Sequence, residues 1–152
     1  MSELLILLVM FSASLFVGNE FSVGAFINPS FSRLPDVPQA FAARETARLY
    51  GRIMPSWMVG NVLLSSLVTF LVADSYSRQW WSYLAATLLF VFVCAFSVLF
   101  PVPINNKIAD WDPDDLPSDW RELRSRFDRY HWVRIVLLLI AYLSLAFGTV
   151  SH

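Results

Sequence analysis

The chain has 152 residues, of which 57% are hydrophobic, 16% aromatic and only 15% charged, with a formal net charge of −1. So apolar a composition excludes an ordinary soluble domain, while so even a charge balance gives no sign of nucleic acid or of acidic partners, and the placement of the charges matters more. One cysteine, Cys94, lies in an apolar run, so no intrachain disulfide forms, and its expected role is that of a small buried hydrophobe.

A hydrocarbon core about 30 Å thick takes roughly 20 apolar residues in helical form. Four stretches reach that length, at about 4–27, 54–73, 81–100 and 133–150. They predict an all-α integral membrane protein, a four-helix transmembrane bundle forming a single domain over 1–152. The first span carries Glu3 where a signal peptide has basic residues, and its apolar run is too long for one, so it reads as part of the mature protein. Asn28 and Pro29 are expected to end it. The second span has Pro55 at its first turn, where proline is tolerated. Pro101 and Pro103 break the chain after the third. Trp57, Trp80, Trp81 and Trp132 are placed as rings at the two interfaces.

Between the spans, basic residues fall on one side. Arg33, Arg44, Arg48 and Arg52 precede the second span; Lys107, Arg121, Arg124, Arg126, Arg129 and Arg134 lie around the last connection; only Arg78 is on the other side. The expectation is a multi-pass protein of the cell (inner) membrane, with these connections cytoplasmic and both termini outside. Each cytoplasmic connection carries an amphipathic helix. Residues 39–52 form one. The other starts near Ser118 as N-cap, with Asp119 in its first turn. Trp120, Leu123, Phe127 and Tyr130 give it an apolar stripe, while Glu122 with Arg126 and Arg124 with Asp128 are spaced as pairs on a wet face. This piece continues into the last span as a rod of about 32 residues, roughly 48 Å long.

Polar residues inside a bilayer are costly and mark sites or packing. Phe16, Glu20, Gly24 and Asn28 share one face of the first helix, and Ser14, Gly18 and Ser22 form a neighbouring small-residue seam suited to close packing. Trp57, Asn61, Ser65 and Thr69 share a face of the second span; His131, Arg134, Leu138 and Tyr142 share one on the fourth. Turned inward together, these faces predict a polar pocket built from Glu20, Asn28, Asn61, Asn105, His131 and Arg134, with Glu20 paired to Arg134 or His131. Ser65 and Thr69, like Asn61, also suit a purely structural role as interhelical hydrogen-bonding groups. No metal is expected: there is no Glu-x-x-His or His-x-x-x-His spacing, and His152 is placed on the opposite side from His131. Haem on His131 as axial ligand is a minor alternative carried by one histidine. No glycine-rich phosphate loop and no Ser-His-Asp elbow occur.

The run Pro101-Val-Pro-Ile-Asn105-Asn106-Lys107-Ile-Ala-Asp-Trp111, with Asp119-Trp120-Arg121 and the Arg129-Tyr130-His131-Trp132-Val-Arg134 entry to the last helix, resembles a family of small four-helix membrane proteins that includes the anthrone oxygenases. The resemblance extends over the whole chain. It implies oxidation of an anthrone to an anthraquinone without a conventional cofactor, and it points to Asn105, His131 and Arg134 as residues that carry the activity. The residues suit that chemistry, because electron-rich phenols react with dioxygen once deprotonated. His131 could take the proton, Arg134 and Asn105 could stabilise the enolate, and Glu20 could orient the histidine or act as the base. Asn28, Asn61, Trp57 and Tyr142 would contact a small hydrophobic ligand arriving from the lipid bilayer. The alternative is a non-enzymatic membrane module that binds or moves a small hydrophobic molecule, or a partner subunit; as a transporter it would be expected to form a homo-oligomer.

Overall fold

The computed structural model describes residues 2–150; His152 lies outside them. Its elements are helical throughout: α1 (Ser2–Ser22), a π-helical turn (Val23–Ile27), α2 (Asn28–Phe31), α3 (Asp36–Leu71), α4 (Arg78–Leu99), α5 (Pro101–Ala109) and α6 (Trp120–Val150). Four rods are long and apolar enough to cross a membrane: Ser2–Phe31, Asp36–Leu71, Arg78–Leu99 and Trp120–Val150. They form a four-helix bundle. α1 packs on α3, α3 on α4, α4 along α6, and α6 back on α1, which closes the ring.

The inward faces follow the sequence pattern. Phe16, Glu20, Gly24 and Asn28 are all buried, as are Asn61, Ser65 and Thr69. The hydroxyls of Ser65 and Thr69 bond carbonyls of their own helix, and Thr69 Oγ1 meets Thr87 Oγ1 of α4 at 3.1 Å. Trp57 is a packing residue as much as an interfacial one: its ring stands edge-on to Phe16 and its Nε1 donates to Ser12 Oγ at 3.2 Å. Leucine and phenylalanine dominate the outward faces, with Phe11, Leu63, Phe70 and Leu143 each more than half exposed, the surface a bilayer would cover.

Several expectations at helix ends and seams need correction. Asn28 and Pro29 do not stop the first rod, which continues to Phe31. Pro29 has no N–H to donate, and the turn before it widens to π geometry, with the Asn28 N–H reaching the Val23 carbonyl. Pro55 is not in a first turn either. α3 begins at Asp36 and runs unbroken through it for 36 residues, so the amphipathic segment and the second span are one helix. Lacking an N–H, Pro55 leaves the Gly51 carbonyl without its helical donor. Past α4, Phe100 turns the chain and Pro101 opens α5 at a helix position where proline fits. α6 begins at Trp120, so Asp119 rather than Ser118 stands at its N-cap position.

The stripe Trp120, Leu123, Phe127 and Tyr130 packs on the start of α3, the segment that connects the first two spans, and on α5. Ala40, Ala43 and Ala47 of α3 keep that surface low enough for Ile104, Ile108 and Trp111 to reach α6. Trp111 stands edge-on to Trp120, with centroids 5.9 Å apart. Arg124, placed on the wet face by its spacing to Asp128, is instead buried on this side.

The seam of Ser14, Gly18 and Ser22 is also misplaced. Ser14 and Gly18 face outward, and a Cβ at Gly18 would meet nothing within 4 Å. The glycine that permits close approach is Gly24, in the π-helical turn. A Cβ there would lie 2.6 Å from Ile135 Cδ1 and 3.2 Å from the His131 ring. Gly24→Val should therefore cost about 1–3 kcal/mol by overpacking, while Gly18→Leu should stay within about 0.5 kcal/mol of the parent. Thermal unfolding in one detergent checks this; equal losses for the two variants would mean that α6 does not depend on Gly24.

Candidate functional site

At the end of the bundle that carries α5, the rods enclose a cavity of about 90 Å³. Its back wall is a stripe on α6, Arg124, Phe127, His131 and Arg134, whose three- and four-residue steps keep it on one helical face. α1 contributes Glu20, α2 Asn28, α3 Tyr50, Met54 and Met58, and α5 Val102 and Asn105. The exposed lining residues are Gly51 and Pro55 of α3 and Asn106 of α5, so the opening lies between those helices.

The innermost group is a closed polar triangle. Glu20 is 1% exposed and His131 2%. Arg134 Nη2 donates to Glu20 Oε2 at 2.5 Å and lies 3.0 Å from His131 Nδ1. His131 Nε2 lies 3.1 Å from the Glu20 carbonyl oxygen. These contacts assign the imidazole. A guanidinium only donates, so Nδ1 accepts; the carbonyl only accepts, so Nε2 carries the proton. His131 is thus neutral, with both ring nitrogens engaged, and its Nδ1 stands 3.5 Å from Glu20 Oε2 as a neighbour rather than as an ion-pair partner. An isolated charge at this depth is costly, and the Glu20–Arg134 pair leaves the cluster with no net charge.

Beside the cavity's outer end lies a second pair, of which Arg124 reaches the lining. Arg124 Nη2 is 3.1 Å from Asp128 Oδ1, and Asn28 Nδ2 donates to that oxygen at 3.0 Å. Between the two pairs, Phe127 stacks on the His131 ring with centroids 5.8 Å apart, and the Arg124 guanidinium carbon lies 5.4 Å from the Phe127 centroid. Asn105 Nδ2 donates to the Ala47 carbonyl at 3.0 Å, clipping α5 onto α3 beside the cavity.

Of the residues singled out by sequence, Glu20, Asn28, Asn105, His131 and Arg134 come together here. Asn61, Trp57 and Tyr142 do not. Asn61 bonds the Trp57 carbonyl at 3.0 Å, Trp57 bonds Ser12, and Tyr142 packs on the apolar core, all away from the cavity lining. The sequence pattern did not single out Arg124, Tyr50, Phe127 or the methionines as site residues. Extending the His131/Arg134 stripe two further turns back would have reached Phe127 and then Arg124. Among the described residues no three of His, Cys, Asp or Glu gather as a metal-binding group.

The sequence matches the family described as anthrone oxygenase over residues 47–144, a segment that includes Asn105, Arg124, His131 and Arg134 but not Glu20 or Asn28. No curated relative and no solved structure matches it. With well over half of its length matched, the chain belongs to the anthrone oxygenase family.

Proposed function

We propose that the protein oxidises a hydrophobic phenolic polycycle of the anthrone class with dioxygen, in the cavity lined by Glu20, His131 and Arg134. The observation that carries this reading is a buried carboxylate–guanidinium pair opening onto an apolar, aromatic-lined pocket. The pair's contacts all reach Oε2 of Glu20, and Oε1 takes no part in them. Oε1 is therefore the base that removes a proton from the activated methylene. The cluster then exchanges one anion for another: Glu20 becomes neutral and the enolate balances Arg134. No net charge appears in the apolar interior, which keeps the barrier low.

The enolate carbon gives two electrons to dioxygen and forms a hydroperoxide. Loss of the second methylene proton with cleavage of the O–O bond leaves a ketone and water. One oxygen atom of dioxygen ends in the quinone and one in water. His131, its two nitrogens engaged, holds Arg134 and the Glu20 backbone in place; it is a positioning residue more than the base that its chemistry alone suggested. Asn105 adds an amide on the α5 wall. The reaction as written draws on no cofactor.

The cavity is below the roughly 300 Å³ at which ligand pockets usually begin. A tricycle would have to displace the flexible side chains of Met54 and Met58. Purified protein given anthrone under isotopically labelled dioxygen should form anthraquinone carrying one labelled oxygen, above the rate in protein-free micelles. Quinone formation no faster than in the micelles would defeat the proposal.

The site lies at one membrane face, and the ten basic residues around it favour the cytoplasmic side of the cell membrane for that face, with both termini outside. In a Cys94→Ser background, Arg126→Cys should resist an impermeant thiol reagent in intact cells while Ser75→Cys labels. The reverse pattern would invert the topology.

A further inference from the structure

We infer that the substrate is an aromatic acid, held with its reacting end at Arg134 and a second anionic oxygen, such as a carboxylate, at Arg124. This rests on the reading above of the cavity as a site for a tricycle. Arg124 is 7% exposed and Arg134 8%, both on the cavity's back wall. Ten residues of helix put their Cα atoms about 15 Å apart along the axis. Each buries a donor that finds no acceptor among the described residues, Nη2 of Arg124 and Nε of Arg134. For Arg124 the distance to Asp128 suffices for charge pairing, but the alignment is too poor for a hydrogen bond, so those N–H groups stay unmatched. Orphaned guanidinium protons in an apolar interior are costly, and the two side chains that carry them line opposite ends of one cavity, an arrangement suited to receiving two oxygens.

The carboxylate of the outer pair does not cancel Arg124 inside the cavity. The Asp128 side chain is 31% exposed against 8% for that of Arg124, and Asp128 lines only an outer groove, whereas Arg124 lines both that groove and the cavity. Water therefore screens the acid, which leaves part of the Arg124 charge uncancelled for the cavity it also lines. The wall between the two arginines is formed by Phe127 and His131, two nearly parallel aromatic rings against which a fused ring can pack. A neutral polycycle would satisfy Arg134 only after deprotonation and would leave Arg124 unmatched.

The test is equilibrium binding of two fluorescent tricyclic probes, anthracene carboxylate and its neutral hydroxymethyl analogue, to the intact protein in neutral detergent, corrected for partition into empty micelles. The carboxylate should bind at least about tenfold tighter, the usual worth of a charge-assisted hydrogen bond. Arg124→Gln should remove that preference, bringing the affinity of the carboxylate down to that of the neutral probe. Because Arg124→Gln strands Asp128, Arg124→Gln/Asp128→Asn serves as a second variant with the pair neutralised together; it should show the same loss of preference with the parent's melting temperature. Equal binding of both probes to the parent, or a preference that survives in the double variant, would overturn the assignment while leaving the oxygenase reading in place. Binding of neither probe would sink both.

Discussion

Replacing Arg134 by methionine should cost about 3–5 kcal/mol of stability, the largest loss expected from any single change in the site. The substitution keeps most of the apolar stem but strands Glu20, whose carboxylate is 2% exposed on its side chain and has Arg134 as its cationic partner. Removing one member of a buried pair is severe because the other stays desolvated; removing both together is often mild. Glu20→Gln/Arg134→Met should therefore be more stable than Arg134→Met alone, with a coupling of roughly 0.5–3 kcal/mol. Unfolding curves of the three variants in one detergent measure this. Strictly additive losses would mean that Glu20 and Arg134 do not act as a unit.

The residues of this pair are legible in the sequence because their cost is set by the bilayer. A carboxylate about five turns into an apolar span has few solutions, and an arginine at the entry of the last span is one of them. The four spans are legible for the same reason: their length is fixed by hydrocarbon thickness. The inward faces of Glu20 and of Asn61 follow from helical periodicity. What periodicity does not encode is the nature of the surface opposite a face. Ser14 and Gly18 have the sizes of a helix contact but point outward, because lipid accepts a small side chain as readily as a neighbouring helix does. Arg124 and Asp128 have the spacing of a solvated pair, yet Arg124 is covered by α3 and α5, whose approach depends on three alanines far earlier in the chain. Tyr142 lies too far along α6 to reach the cavity, whereas Trp57, level with the lining residues Met54 and Met58, turns towards Ser12 and Phe16 of α1 instead. The π-helical turn at Val23 and the continuation of α3 through Pro55 are hidden because tertiary packing decides whether each proline ends its helix or is absorbed by it.

Glu20→Gln carries the largest expected effect on activity. It keeps the shape of the side chain and one acceptor for Arg134 but removes the base. General-base catalysis contributes about 10²–10⁴-fold, so turnover per folded molecule should fall by at least about a hundredfold. Some stability will be lost as well, because Arg134 loses its counter-charge. A control with a buried polar group outside the cavity separates the two effects: Thr87→Val removes the Thr69–Thr87 hydrogen bond without touching the lining.

The direct test is dioxygen uptake with anthrone by the parent, Glu20→Gln and Thr87→Val proteins, each corrected for micelle autoxidation and for the folded fraction. The expected result is near-parental uptake for Thr87→Val and a loss of at least about a hundredfold for Glu20→Gln. Uptake by Glu20→Gln within twofold of the parent would contradict the claim that this buried carboxylate starts the reaction.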